Sequence, residues 1–539
     1  MSFVDRVKIG LVLKLGSEEV TIPAGNIKRV SVAAHGHGFS ATVEWWMVSQ
    51  QDASEDKLFA HFIKQEPAEV SLTLARAHAA EGITAEPLVL PGRVTGRRVR
   101  ERAFKDVKDG PVLHRRYQVR FADAVTVLWG QHFPSGIWVE QSLQEVFKAQ
   151  APPGVKLAFQ WEGTEAKQPL HALGLGAEGN TASFLDFVHW LQARENAGLF
   201  FSPATGEYAL RDKKPEGGKP VPLPRRDVAT VEVVLPEPGR AQVSVLNSYV
   251  EAGTRKKELE NAVKVEGVKH EYLLTSPLEG DLTQRATVEG KRHHPAEPEL
   301  RVRFKRYPSM TLALNGLYEF AAGWSTKLYT QGKQYRLYGL FIEARAKSAD
   351  AATDLGDADN VYELDVKASL ELASDATFRR PAFRAPRWPF LAEGLVVSEV
   401  GEDAERTYQA KQDDKTSLEY YRVKLPLWEE KEVLMPYEPH QQPGHFYFPA
   451  DKGTRVLLAF DFRAVRLERF LAWRPGAKLP KESQGNHLLL GKKPESETSI
   501  QHVYQDAKPL MRIQRTSDKD TQLIEVAEGR LKMLVTQKK

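Results

Sequence analysis

Apolar and polar residues alternate along most of this chain, and a period of two restricts it to extended strands more tightly than any other feature it has. Tyr117, Val119 and Phe121 alternate with charged or polar neighbours, downstream of an Asp109-Gly110 turn signal. Val302 and Phe304 sit between arginines and a lysine, Asn315-Gly316 marks another tight turn, and Tyr335 and Leu337 resume the alternation. Two β-rich stretches are expected, residues 1–134 and 245–377, alike in kind and without demonstrable sequence repetition.

The stretch between them, 135–244, reads as a small α/β insertion. Ser142 with Glu145 three residues later is a capping box ahead of one short helix. Ser183 with Asp186 caps a second, whose Leu185, Val188 and Leu191 share one side and whose stop is assigned to Gly198. The segment LFFSPATGEYALRD then predicts a hairpin turning at Ala204-Thr205-Gly206. Residues 211–227, rich in Pro, Gly and Lys, read as a mobile loop, and the polar, acidic 346–360 as an exposed loop between strands. Pro381, Pro386 and Pro389 make 378–390 an extended connector, incompatible with helix or central strand, and the main boundary is placed there.

Beyond the connector, 391–476 has barrel-like strands, with Val456, Leu458 and Phe460 on one face. From 477 to 539 short strands recur: His487–Leu490, Ile500–Tyr504, Met511–Ile513, Leu523–Val526 and Leu531–Val535. Asp518-Lys519-Asp520 and Glu528-Gly529 are turns between them, and Leu531, Met533 and Val535 share one strand face. So short a tail buries little core alone, which makes pairing with other chains the natural solution.

Bulk properties bound what such a chain can do. At 539 residues it exceeds what one hydrophobic core supports. A net charge of +4 spread over that length is no nucleic-acid footprint. The absence of cysteine removes disulfides, thiolate zinc sites and thiol nucleophiles together. The N-terminal apolar patch is broken by Lys14 and lacks a cleavage site, and no apolar run approaches the ~20 residues of a membrane span. A soluble protein folded in the cytoplasm without a signal peptide is expected.

Candidate chemistry is sparse. His35-Gly36-His37-Gly38 would place two imidazoles on one strand face, but no carboxylate or third histidine is near in sequence, and an exposed Gly-flanked turn accounts for it better. His293-His294-Pro295 lies in a charged turn, and His270-Glu271 lacks the second histidine of HExxH. GLGAEGN (174–180) has no Gly-Lys-Ser/Thr ending, and no serine sits in a G-x-S-x-G elbow. The arginine-aromatic mix of 378–390 could grip phosphates and bases, yet a linker laid against its neighbours explains it at lower cost. No catalytic, cofactor or metal residues emerge, and no enzymatic activity is expected.

Three stretches carry a family resemblance. HRRYQVRFADAVTVLWGQHFPSGIWVEQSLQEVF (114–147) is similar to the end of a first barrel leading into an isoleucine-bearing strand and short helix. SFLDFVHWLQARENAGLFFSPATGEYALRD (183–212) is similar to a helix followed by an aromatic hairpin, and PGHFYFPADKGTRVLLAF (443–460) to an OB segment. In this order they resemble VgrG, the hub-and-spike family of type VI secretion systems, and equally the hub-spike proteins of contractile phage tails and extracellular injection systems. The segment after Phe460, DFRAVRLERFLAW, departs from the Gly-Asp-Pro-type turn of that family, and the tail is short for a spike.

The resemblance implies a mainly β, multidomain chain: two tube-like β-barrels (1–134 and 245–377) with an α/β insertion (135–244), an OB-fold barrel as neck (391–476) and a short trimeric β-helical or β-prism spike (477–539). It implies a homotrimer whose spike interface holds Leu531, Met533 and Val535. The implied partners are a hexameric inner tube protein, baseplate proteins, a PAAR-like tip protein and effector cargo, with no nucleic acid. Such a protein assembles in the cytoplasm and is expelled on contraction. The alternative is a multidomain β-rich glycan-binding protein or hydrolase acting in an interdomain cleft.

Overall fold

The computed structural model describes residues 3–49, 56–78, 85–104, 112–249, 255–276, 278–320, 324, 329–351, 353–398, 411–412, 419–437, 450, 452–471, 485–493, 495–518 and 520–537. The Asp109-Gly110 turn, residues 443–449 of the third resembling stretch and residues 472–476 of the expected barrel lie outside them. The chain is mainly β and divides into two compact units. One comprises Met1–Phe133, Phe147–Glu165 and Thr181–Pro386; the other comprises Pro134–Val146, Ala166–Asn180 and Arg387–Lys539.

In the first unit thirteen strands form one continuous sheet. Part of it closes on itself. The order runs Gln334–Ala346, Ile27–His35, Gly38–Ser49, Val112–Ala122, Leu88–Phe104, Ala68–Arg76, Phe3–Leu15 and Asn360–Leu372, and the last pairs back with the first. This is an eight-strand barrel. Alternation explains it: Val30, Val32, Val43, Trp45, Tyr117 and Val119 all point inward and are fully buried, while their neighbours face out. Inside, Trp45 stacks on Tyr117 at 5.4 Å between ring centres, and Phe62 meets both edge-on. The buried Asp56 carboxylate accepts from the Tyr117 hydroxyl (2.5 Å) and the Arg115 guanidinium (2.9 Å).

A second wall, an arc of six strands, uses the same hairpin. Asn360–Leu372 pairs with Phe3–Leu15 through its first residues and with Glu299–Phe304 through its last, along one edge. Gln334–Ala346 likewise pairs with Leu317–Phe320 and then, past a register shift between Leu337 and Gly339, with Ile27–His35. Val228–Val234 and Val221–Leu223 complete the arc. The two barrel-like walls are thus not made by two separate stretches of chain, because residues 334–372 belong to both.

The pairing of Val221–Leu223 corrects the expectation of a mobile loop at 211–227. Lys214 is buried with its ammonium 2.6 Å from Glu371, Arg336 donates to the Pro215 carbonyl, and the Asp227 side chain accepts from Ser309. Its four prolines lack a backbone donor, and side chains help to hold the path. The 346–360 loop joins the hairpin strands as expected, and it folds back: the Asp357 carbonyl accepts from Gly25 N–H, and that of Thr353 from the buried Lys28.

The expected helices are present. Ser183 and Asp186 form a reciprocal capping box on Phe184–Glu195. The helix stops at Asn196, which takes the left-handed conformation (φ 53°), and not at Gly198, which opens the strand Gly198–Ser202. Asparagine tolerates this conformation because its short side chain can bond locally. The hairpin to Glu207–Arg211 turns at Gly206 (φ 66°) as expected, and Lys156–Gln160 adds a parallel third strand. A further small module was not anticipated. Gln242–Asn247 pairs with Lys256–Glu258 and Lys269–Leu274, and the helix Glu279–Arg292 packs Leu282 and Ala286 on Val245.

In the second unit, Ser135–Ser142 and Lys167–Gly174 form an antiparallel pair. Ser142 and Glu145 close the expected capping box, with Ser142 N–H donating to Glu145 at 2.6 Å and Glu145 N–H to the Ser142 hydroxyl at 3.3 Å. Six antiparallel strands between Phe390 and Phe470 surround a core of Tyr421, Val423, Met435, Val456, Leu458 and Phe460. The 135–174 pair joins this core through Ile137, Leu170 and Ala172. Trp428 Nε1 and Lys431 Nζ reach the carbonyls of Ser135 and Ile137, and Ala172 N–H donates to Phe462. Part of the stretch read as one insertion is therefore a separate two-stranded pair packed on the core of the barrel-like sheet.

Candidate functional site

Five strands make the tail: Gly485–Lys493, Ser496–Gln505, Lys508–Ser517, Asp520–Ala527 and Arg530–Gln537. They follow one another in an antiparallel meander, each a neighbour of the next, with the turns at Asp518 and at Glu528-Gly529 that the sequence marks. All five expected strands are present and each extends beyond its expected ends. Within one chain the tail is a single sheet and not a helical winding.

The register decides what each face carries. Residues directly opposite in an antiparallel ladder point to the same side. Leu531 faces Val526, and Val526 faces Met511. Met533 faces Ile524, then Ile513, then Ile500, then Leu488. Val535 extends the same face at its end. One side of the sheet therefore carries an apolar band from Leu488 to Met533, flanked by Gln522, Arg515 and His502, and this chain leaves it uncovered at the last strand. Leu531, Met533 and Val535 are 66%, 72% and 73% exposed.

The opposite face is built differently. Glu525 sits at its centre and accepts from Arg512 at 2.7 Å, with Lys532 and Arg530 each 3.9 Å away. The Arg512 hydrogen bond holds this carboxylate below its ordinary pKa range. One side of the sheet is thus laced by ion pairs, and the other exposes aliphatic side chains and two methionines, Met511 and Met533. Contiguous apolar area of that kind on a folded chain marks a surface for association.

The histidines weighed in the sequence are brought together in part. His35 and His37 stack at 5.4 Å between ring centres, and His189 meets His37 edge-on at 5.9 Å. The helix Phe184–Glu195 supplies this third ring, which no spacing in the sequence could place. Burial pushes His37 down to about 3, helped by its two histidine neighbours, and His189 down to about 4. His270 packs on Tyr272, whose hydroxyl is 3.0 Å from His293, again with no carboxylate pair around an open position. Among the described residues no group of three or more His, Asp or Glu side chains is arranged to hold a metal ion.

No protein-family model matches this chain, and no curated protein matches its sequence. Solved structures do match its fold. A chain of the lidless PdpA–VgrG complex aligns over 99% of this chain and 98% of its own length, with a TM-score of 0.71 at 11% identity. The half-lidded PdpA–VgrG complex of Francisella gives 0.72 at 10% identity over 99% of this chain and 89% of the other. The lidded form gives 0.71 at 11% identity, over 99% and 80%. The fold is VgrG-like from end to end.

Proposed function

We propose that this chain is a structural hub-and-spike subunit of a contractile injection machine, acting as a homotrimer and not as an enzyme. The observation that carries the reading is the uncovered apolar face of the tail sheet within a VgrG-like fold. Three copies would bring Leu531, Met533 and Val535 together around one axis. Burying each side chain would contribute roughly 1.5–3 kcal/mol relative to exposure. Closure of three sheets would also cover the outer edge of Arg530–Gln537, which a lone meander leaves unpaired.

In this reading the first unit joins the hexameric inner tube and the baseplate. The barrel-like sheet of the second unit is an OB-type neck, and the tail presents a tip protein of PAAR type. The work of piercing a membrane comes from the contracting sheath. Cargo rides with the particle, assembled in the cytoplasm and expelled on contraction. The resemblance of the sequence and the likeness of fold support this reading.

Solution mass tests it. Light scattering on the purified chain at micromolar concentration is expected to give three times the 60.6 kDa chain mass. A mass of one chain under those conditions would sink the trimer.

A further inference from the structure

The outer wall of the eight-strand barrel carries a charge pattern that packing does not require. Registers across four neighbouring strands place one face side by side. Gly96, Arg98, Arg100 and Arg102 stand opposite Arg120, Gln118, Arg116 and His114. Arg120, Gln118 and Arg116 in turn stand opposite Thr42, Glu44 and Trp46, and Glu44 is opposite Arg29. Across these four strands the described residues of this face include six arginines (29, 98, 100, 102, 116 and 120) and the carboxylate of Glu44, with Glu343 opposite Ser31 on the adjoining strand. Glu44 is already engaged, accepting from Arg116 and from Gln118 at 2.8 Å. Arg29 pairs with Glu343.

Arg98, Arg100 and Arg120 are exposed, and they make no ion pair among the described residues. Arg98 and Arg120 line a hollow of about 530 Å³ together with Arg29, Arg97, Thr42, Gln118 and the already engaged Glu44. Gly96 keeps that hollow open: a Cβ there would press on the Arg120 guanidinium at 3.2–3.3 Å. The pattern carries an energetic cost, because Arg100 lies directly opposite Arg116 and like charges so placed oppose strand pairing. The interior of the same strands holds Tyr117, Val119, Val43 and Trp45, and its arginine, Arg115, is already paired with Asp56 and Glu101. An anion arriving from outside would offset that cost.

We propose that this wall is a docking surface for an acidic face of another protein, one bearing Asp or Glu in rows. Alternate residues on a strand are about 6.6–6.8 Å apart and adjacent strands about 4.8 Å. The guanidinium grid therefore matches carboxylates on alternate residues of an extended acidic segment, each able to take a bidentate pair. Nucleic acid fits less well. Trp46, the indole among the described residues of this face, is half-buried with the Arg116 guanidinium over it and His114 at its edge, so it is not an open ring for bases to stack on. The surface belongs to the barrel and not to the tail, so it stands or falls independently of trimerisation.

Binding of fluorescent poly-L-glutamate and of a single-stranded oligonucleotide to the full chain, measured by anisotropy at low and raised salt, tests this. The Arg98→Glu/Arg100→Glu/Arg120→Glu variant is expected to lose at least about tenfold in affinity for polyglutamate. Lys256→Glu/Lys257→Glu/Lys269→Glu, an equal change of charge on exposed positions elsewhere, is expected to lose less than about threefold. Equal losses in the two variants, or none in either, would overturn the proposal. So would tighter binding of the oligonucleotide that the arginine variant alone abolishes, which would mark the wall as a phosphate surface. Arg98→Gln/Arg100→Gln, judged folded by circular dichroism, gives the same readout should the charge reversal not fold, and an affinity it leaves unchanged counts equally against the wall.

Discussion

Met533 is the residue on which single-chain stability and assembly separate most cleanly. It is largely exposed in one chain, so Met533→Glu is expected to shift the mass toward one protomer and to lower the melting temperature only by what assembly contributed. Light scattering beside a thermal melt checks both. Arg115 behaves in the opposite way. It is buried against Asp56, so Arg115→Leu leaves an uncompensated buried carboxylate and is expected to cost about 3–5 kcal/mol in a denaturant titration. The buried imidazoles set the response to pH. Burial holds His37 near 3, and His171 and His189 near 4, so each is neutral when folded and binds protons more readily when unfolded. Their contribution is complete above the unfolded value of about 6.5 and is lost as pH falls through the window toward 4 or 3, at about 1.4 kcal/mol per pH unit for each ring. Stability should therefore drop from pH 7 to pH 5, and His171→Leu should flatten that slope in proportion.

At the scale of elements, the cap of Phe184–Glu195 does more than begin a helix. Asp186 accepts from Ser183 N–H at 2.9 Å and, through its other oxygen, from Arg384 N–H at 2.9 Å in the extended connector. Ser183→Ala should cost about 1 kcal/mol, the usual loss of a cap. Asp186→Ala should cost more, because the connector loses its anchor as well; denaturant midpoints of the two variants decide it. This cap was legible in the sequence because its partners lie three residues apart, and so were the tail strands and the 198–211 hairpin, whose turn and alternation are local. The shared hairpin was not. A strand that serves two neighbours along one edge has the same period of two as one that serves a single neighbour, and the shift at Leu337/Gly339 leaves no mark in composition. Nor was Glu279–Arg292 legible, since it packs little besides Leu282 and Ala286 and carries two glycines, too few apolar positions to show a stripe. Leu531, Met533 and Val535 could be placed on one face by spacing alone. That Ile524, Ile513 and Ile500 continue that face depends on register, and that His189 completes the ring cluster depends on tertiary packing, which no local pattern encodes.

For the whole molecule, the two surfaces differ in the force each relies on. An assembly held by aliphatic burial should keep its mass from low to high salt, whereas any ligand of the arginine wall should release steeply. A trimer that dissociates as salt rises would place the protomer contact on charge instead of on the tail. The hairpin shared by both walls also imposes an order on synthesis. The six strands between Phe3 and Ala122 that belong to the closed barrel leave the ribosome long before Gln334–Leu372, yet that hairpin is the only described segment that joins Phe3–Leu15 to Ile27–His35. Until it emerges, the nascent barrel holds two open edges across an interval of chain longer than itself. Its closure is the event that ends the chain's exposure to wrong partners, and a stall in translation before residue 372 would leave those edges waiting.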